Sequence, residues 1–243
     1  MTDDRAVSET MGFALIFGVV MLAIVLVSMT VYPAIADIED HQRVSNVERG
    51  MESLADNVDD LVRNDAPSRS TRLRLTEGQF ALGEPITVTV NGTDAGGDSF
   101  SETQTVRPLV YRSGEGTELV YVNGAVVRDD GDGVVMASEP RLLVSNRSVV
   151  LPIVNLQQGS GPSGVEGTMR VVTVRKDARV VVAENTPHDV DISITSPRAE
   201  AWRRTFEARD GVTCGPISGD TLTCSVNTER VYVTATDIDV AYR

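Results

Sequence analysis

Few residues in this chain could carry out chemistry. The two histidines, His41 and His188, lack the HExxH spacing that would set two imidazoles on one helix face for zinc. His188 precedes Asp189 and reads as half of a solvated loop pair rather than as a general base. The single lysine, Lys176, follows Arg175 without the glycine loop of a phosphate cradle, and no GxSxG elbow supplies a serine nucleophile. Cys214 and Cys224 bracket a hairpin-like segment, GVTCGPISGDTLTCSV. That spacing rules out a CxxC metal site and suits a disulfide across the turn, with two buried free thiols as the alternative. Asp129-Asp130-Gly131-Asp132-Gly133 is the acidic cluster that could hold a cation. Counted from Asp130, however, the twelfth position of an EF-hand loop is Arg141 rather than a glutamate. An ordinary hairpin turn is expected there, and GSGPSG at 159–164 reads as a flexible loop. The sequence therefore predicts no catalytic set, no metal site and no cofactor, and the chain is not expected to be an enzyme.

Charge narrows the partners. The chain has 243 residues, with 35 acidic against 22 basic side chains and a net charge of -13. A surface of that sign repels polyanions, so no nucleic-acid partner is expected. One of the 22 basic residues is lysine, leaving 22 - 1 = 21 arginines. Abundant Asp and Glu with almost no Lys suits a halophilic protein, because strong salt screens the self-repulsion.

The elements that must position anything else begin with the N-terminus. From Thr10 to Ala36 no residue is charged, a stretch longer than the roughly 20 residues a helix needs to cross a bilayer. It also exceeds the roughly 7 to 15 apolar residues of a secretory signal and has no small-residue cleavage site after it. The lipid bilayer is thus the first expected partner. The cysteine pair favours an oxidising compartment for the rest of the chain. Two acceptor sequons, at Asn91 (Asn91-Gly92-Thr93) and Asn146 (Asn146-Arg147-Ser148), suit exposed turns of a surface protein.

The stretch RAVSETMGFALIFGVVMLAIVLVSM, residues 5 to 29, resembles the N-terminus of haloarchaeal type IV pilin-like proteins. In that family a short charged leader ending in Arg-Ala precedes Val-Ser and a long apolar helix. The resemblance implies cleavage by a prepilin peptidase between Ala6 and Val7, with the apolar helix retained. It implies pilin-like subunits as partners and an assembly role for Glu9, whose carboxylate would pair with the N-terminal amine of a neighbour. Glu9 would be the third residue of the mature chain, two places earlier than the glutamate of bacterial pilins. A plain uncleaved anchor is the alternative.

Near the end of the apolar stretch, Pro33 is expected to kink the helix rather than stop it. Val44, Val47, Met51, Leu54, Val58 and Leu61 then recur at steps of three and four, an apolar seam on one helical face. Either the seam packs on the chain's own head, which is favoured, or it forms a coiled coil between copies. Asn64-Asp65-Ala66-Pro67-Ser68 ends the helix. From about Arg72 the period changes to two, and RLRL (72–75), ITVTV (86–90), TVRPLVY (105–111) and ELVYV (118–122) read as strands. RLLV, VVLPIV, MRVVTV, RVVVA, VDISIT, TLTCSV and RVYVTA follow, and Asn123-Gly124 is the strongest hairpin turn. A late helix is expected from Ser196 as N-cap and Pro197 at its first position to Gly211, with Trp202 and Phe206 on its buried face. The expected class is α+β. The organisation is a leader (1–6), a transmembrane helix (7–36), an extracytoplasmic stalk (37–66) and a mainly antiparallel β head (70–243), sandwich or open barrel. The predicted protein is single-pass, N-terminus cytoplasmic and head outside, a minor pilin or pseudopilin; its alternative is a permanently anchored protein with a binding head.

Overall fold

In the computed structural model, residues 3–75, 78–114, 116–158 and 167–243 are described, without the side chains of residues 3–11 and 30–41. Helix α1 (Asp3–Arg63) continues through Pro33. Two compact units divide the chain, residues 1–45 and 46–243. Within the second unit the three-and-four seam is buried: Val47, Met51, Leu54, Val58 and Leu61 are at most 2% exposed. A single copy covers the seam, so it packs on the chain's own β-strands and not in a coiled coil. Asp65 adopts a left-handed φ of 56° beyond the last turn, the conformation that lets Asn64 and Ala66 return amide hydrogen bonds to the Asp60 carbonyl at 3.1 and 3.4 Å.

The strands follow in order. First come β1 (Ser68–Leu75), β2 (Gln79–Leu82), β3 (Ile86–Asp94), β4 (Ser99–Val106) and β5 (Leu109–Arg112). Next are β6 (Glu118–Val122), β7 (Ala125–Asp129), β8 (Val134–Ser138), β9 (Leu143–Val144) and β10 (Val149–Gln158). Then follow β11 (Gly167–Glu184), β12 (His188–Thr195), helix α2 (Ala199–Glu207), β13 (Thr213–Cys214), β14 (Thr221–Thr228) and β15 (Val231–Tyr242). They make three five-stranded sheets, ordered β1-β11-β15-β10-β9, β13-β14-β12-β3-β4 and β2-β5-β6-β7-β8. The class is α+β, mostly β with one long N-terminal helix and one short late helix.

Several expectations needed correction. TVRPLVY is not one strand: β4 ends at Val106 and β5 starts at Leu109, because Pro108 cannot donate to a ladder and the chain changes sheet there. MRVVTV and RVVVA fuse into β11, with register shifts at Arg175/Asp177 and Val180/Val182. RLLV shrinks to a two-residue β9. One strand pair, β10 with β15, is parallel. No long helix was available for such a crossover, and here the intervening strands β11 to β14 perform it. Pro152 is accommodated within β10 because β9 pairs only with Val149 and Val150, so its missing N–H falls beyond that short partner. Ser196 is not the α2 cap. It sits in a preceding turn, its hydroxyl accepting from the Arg198 amide at 3.2 Å, and Arg198 takes the N-cap position without a side-chain bond.

The Asn123-Gly124 turn forms as expected between β6 and β7, with φ of 50° and 83°, the two positive values of a type I′ hairpin. Asn123 Oδ1 also accepts from the Val154 amide at 2.7 Å, tying the turn to β10. The largest apolar cluster joins inward residues of all three sheets, Val190 and Ile192, Val120 and Val127, Leu151 and Val233, with Trp202 and Phe206 of α2. The two α2 rings lie 6.2 Å apart, so the only tryptophan is core, as expected. The α1 seam covers a separate layer. A Cβ on Gly50 would lie 2.5 Å from Leu73 Cδ2, Asn57 Nδ2 donates to Thr71 Oγ1 at 2.9 Å, and the Arg175 guanidinium donates to the Leu61 carbonyl at 3.3 Å.

Candidate functional site

The strongest functional feature is apolar. Gly12–Met29 forms 18 helical residues with a mean hydropathy of 2.7, none of it buried within the chain. At 1.5 Å per residue it spans about 27 Å, close to the hydrocarbon thickness of a bilayer. Phe13, Leu15, Ile16 and Met29 are 68 to 71% exposed. By length and composition the helix could cross a membrane, as an anchor or a signal sequence would. Added Cβ atoms on Gly12 and Gly18 would meet nothing within 4 Å, so nothing among the described residues requires those glycines to be small. Ala14 and Gly18 make the small-xxx-small spacing that lets two helices approach closely. Ala6, Val7 and Glu9 lie in the first turns of α1, and their side chains, like that of His41, fall outside the described residues.

A small cleft lies where α1 meets the β6–β7 turn and the segment 138–142, lined by Ala55, Val58, Tyr121, Arg141 and Pro152 among others. Arg141 closes its rim through ion pairs to Asp56 at 2.7 Å and Asp59 at 3.1 Å. Tyr121 is fully buried, and its hydroxyl has no hydrogen-bond partner among the described residues. Burial pushes its pKa far above the usual tyrosine value, the backbone of Gly124 tempers the rise without a well-aligned hydrogen bond, and the Asp59 carboxylate adds to it.

The second sheet presents a polar lattice that the sequence reading missed. Facing outward are Thr87, Thr89, Asn91 and Thr93 on β3, with Ser99, Ser101, Thr103 and Thr105 opposite them on β4. On the other side of β3 stand Asp189, Asp191, Ser193 and Thr195 of β12, and then Thr221, Thr223, Ser225 and Asn227 of β14. All four outward positions on all four strands are therefore short and polar, and the two aspartates carry the only formal charge. Rungs of hydrogen bonds cross the sheet: Thr89 to Thr103 at 3.1 Å, Ser101 to Asn91 at 2.7 Å and Ser193 to Thr223 at 2.9 Å. Asp191 accepts from Ser225 at 2.5 Å, and Asp189 from Asn227 at 2.7 Å. Among the described residues neither aspartate has a cationic partner. The signal lay in the polar members of ITVTV, DISIT and TLTCSVNT, whose alternation marks strands but whose uniform chemistry marks a face.

The remaining candidates resolve individually. Cys214 and Cys224 form a disulfide between paired positions of β13 and β14. Asp129 to Gly133 is a hairpin connection, with the Asp130 amide donating to the Gly133 carbonyl at 3.1 Å. Two of its three carboxylates are taken by arginines, Asp130 by Arg128 at 2.9 Å and Asp129 by Arg198 at 3.2 Å. Among the described residues no three His, Cys, Asp or Glu side chains gather as a metal site. His188 is not solvated: it is 4% exposed, its ring 5.5 Å from that of Phe100 and its Nδ1 2.7 Å from the Thr186 carbonyl. Asn146 is exposed in the bend between β9 and β10, whereas Asn91 lies within β3 rather than in a turn.

The chain belongs to DUF7289, a family of unknown function whose profile matches residues 5–241. No curated protein and no solved structure matches it.

Proposed function

We propose that this DUF7289 chain is a pilin-like, membrane-anchored surface subunit, a minor or accessory component acting in filament assembly or surface adhesion. The observation that carries it is the contrast along α1. The seam from Val47 to Leu61 is covered by the chain's own strands, while none of Gly12–Met29 is buried within the chain. A helix of that kind is suited to standing in a bilayer and then packing among like helices, and the glycines that nothing among the described residues requires provide the room. In this reading a prepilin peptidase cuts between Ala6 and Val7, the N-terminus is cytoplasmic, and the head lies outside in strong salt. The one-sided burial of β3, β12 and β14 against strands of the other sheets supports a sandwich-like head.

The test is the N-terminal residue of the protein recovered from its native membrane, by mass spectrometry of the first peptide. A start at Val7 is expected. A start at Met1 or Thr2 would replace this reading with a permanently anchored surface protein. In that case the cleft beside Tyr121, with its unpartnered hydroxyl, becomes the place to look for a ligand.

A further inference from the structure

In a chain of net charge -13, arginines without acidic partners are out of place. Most arginines of the head have partners, such as Arg63 with Asp59, Arg141 with Asp56 and Arg179 with Asp237. One group does not. Arg72 on β1 stands opposite Arg170 on β11, and Arg170 exchanges backbone hydrogen bonds with Arg243 at 2.8 and 2.9 Å. Three exposed arginines thus stand abreast on adjacent strands, separated by about 5 Å, with Arg74 one step along β1 on the same face. Arg72, Arg170 and Arg243 line a shallow surface hollow with Thr168. No described side-chain carboxylate pairs with any of them. Asp239, on the same face of β15, is held by Lys176 at 3.1 Å. Like charges directly opposite one another destabilise a sheet, so the fold alone gives no reason for the row.

Two carboxylates that have no cationic partner among the described residues offer a complement to the row. Asp189 and Asp191 sit two apart on β12, and Arg72 and Arg74 sit two apart on β1, so each pair is spaced by about 6.7 Å along its strand. The aspartates stand on the hydroxyl lattice, whose short side chains let a guanidinium approach and offer oxygen acceptors for the donors a carboxylate leaves free. We propose that the arginine row of one head docks on the Asp189/Asp191 lattice of a second copy of this chain. The two surfaces belong to different sheets, so the contact is heterologous. Repeated, it propagates as a filament or closes as a ring. It rests on the subunit reading above and supplies that reading with a head-to-head contact.

The experiment uses the full chain in nanodiscs holding one copy each, so that association between discs reports heads and not apolar helices. The pair Arg72→Asp/Arg74→Asp should weaken association, measured by sedimentation, at least tenfold. Asp189→Arg/Asp191→Arg should do the same. A one-to-one mixture of the two reversed chains should recover it, since each row again meets an opposite lattice. The neutral pair Arg72→Gln/Arg74→Gln should lie between wild type and reversal, and Trp202 fluorescence confirms that every variant is folded. Wild-type discs that never associate, reversal without effect, or a mixture that fails to recover would each overturn the docking. The N-terminal residue reports the subunit reading separately: a chain retaining Met1 that still recovers on mixing keeps the interface and loses the processing.

Discussion

Leu54→Ala tests whether the second half of α1 is part of the head's core. Leu54 is 1% exposed in the middle of the seam. The substitution removes three carbon groups, at about 0.8 kcal/mol each, so roughly 2.4 kcal/mol of transfer free energy is lost. The cavity left between a helix and a sheet that cannot fully close adds to this, for an expected total of about 3 to 4 kcal/mol. Against the 5 to 15 kcal/mol typical of a domain, that is a large fraction. The assay is denaturant unfolding of the full chain in detergent, followed by the fluorescence of Trp202. That residue lies in the other apolar cluster, so its signal reports the β head rather than the helix. Leu15→Ala, at a position 71% exposed within the apolar span, is the control and should leave the transition in place. If Leu54→Ala shifts the Trp202 transition by less than about 0.5 kcal/mol, while changing the association of copies, the seam is an interface between chains and the packing argument fails.

Other predictions are shorter. Gly124→Ala puts a side chain at a φ of 83° and should cost about 1 kcal/mol or more in the same unfolding assay, with no loss marking the hairpin as unimportant to the head. Burial raises the Tyr242 pKa to about 12 and raises that of Tyr121 further still. Both tyrosines are held neutral in the fold, so their contribution is complete below the ordinary tyrosine value near 10 and is lost as pH rises through about 12. Alkaline unfolding should coincide with tyrosinate absorbance, and normal titration of all five tyrosines in the folded state would contradict it. The melting temperature of the head should rise with salt as the charge of -13 is screened, and a salt-independent value would remove the halophilic reading.

What was legible in the sequence was local. The seam from Val44 to Leu61 was visible because helix geometry fixes which residues share a face. Asn123-Gly124 was visible because few residue pairs tolerate two positive φ values. The disulfide followed from two cysteines flanking one turn. What was hidden depended on partners distant in sequence. Nothing near Val149 indicates that β10 will lie parallel to β15, and His188 reads as a loop residue until Phe100 and the Thr186 carbonyl are placed around it. The polar lattice is an intermediate case: each strand's alternation was readable, but only register places Asn91, Asp191 and Ser225 in one row. The arginine row was invisible for the same reason, since Arg72, Arg170 and Arg243 share nothing in sequence but their type.

The position of β15 sets the order of events in biosynthesis. It lies at the centre of its sheet, between β11 and β10, and it contributes the Val231 to Tyr242 segment. Without it β10 and β11 have no common neighbour, so the surface on which the seam of α1 rests is incomplete until Val231–Tyr242 has been synthesised. Long-range pairing of this kind is slow to form. Until then the edges of β10 and β11 that β15 will pair stay open. Docking of the seam from Val47 to Leu61 is therefore a late step of folding, completed only once β15 has joined its sheet.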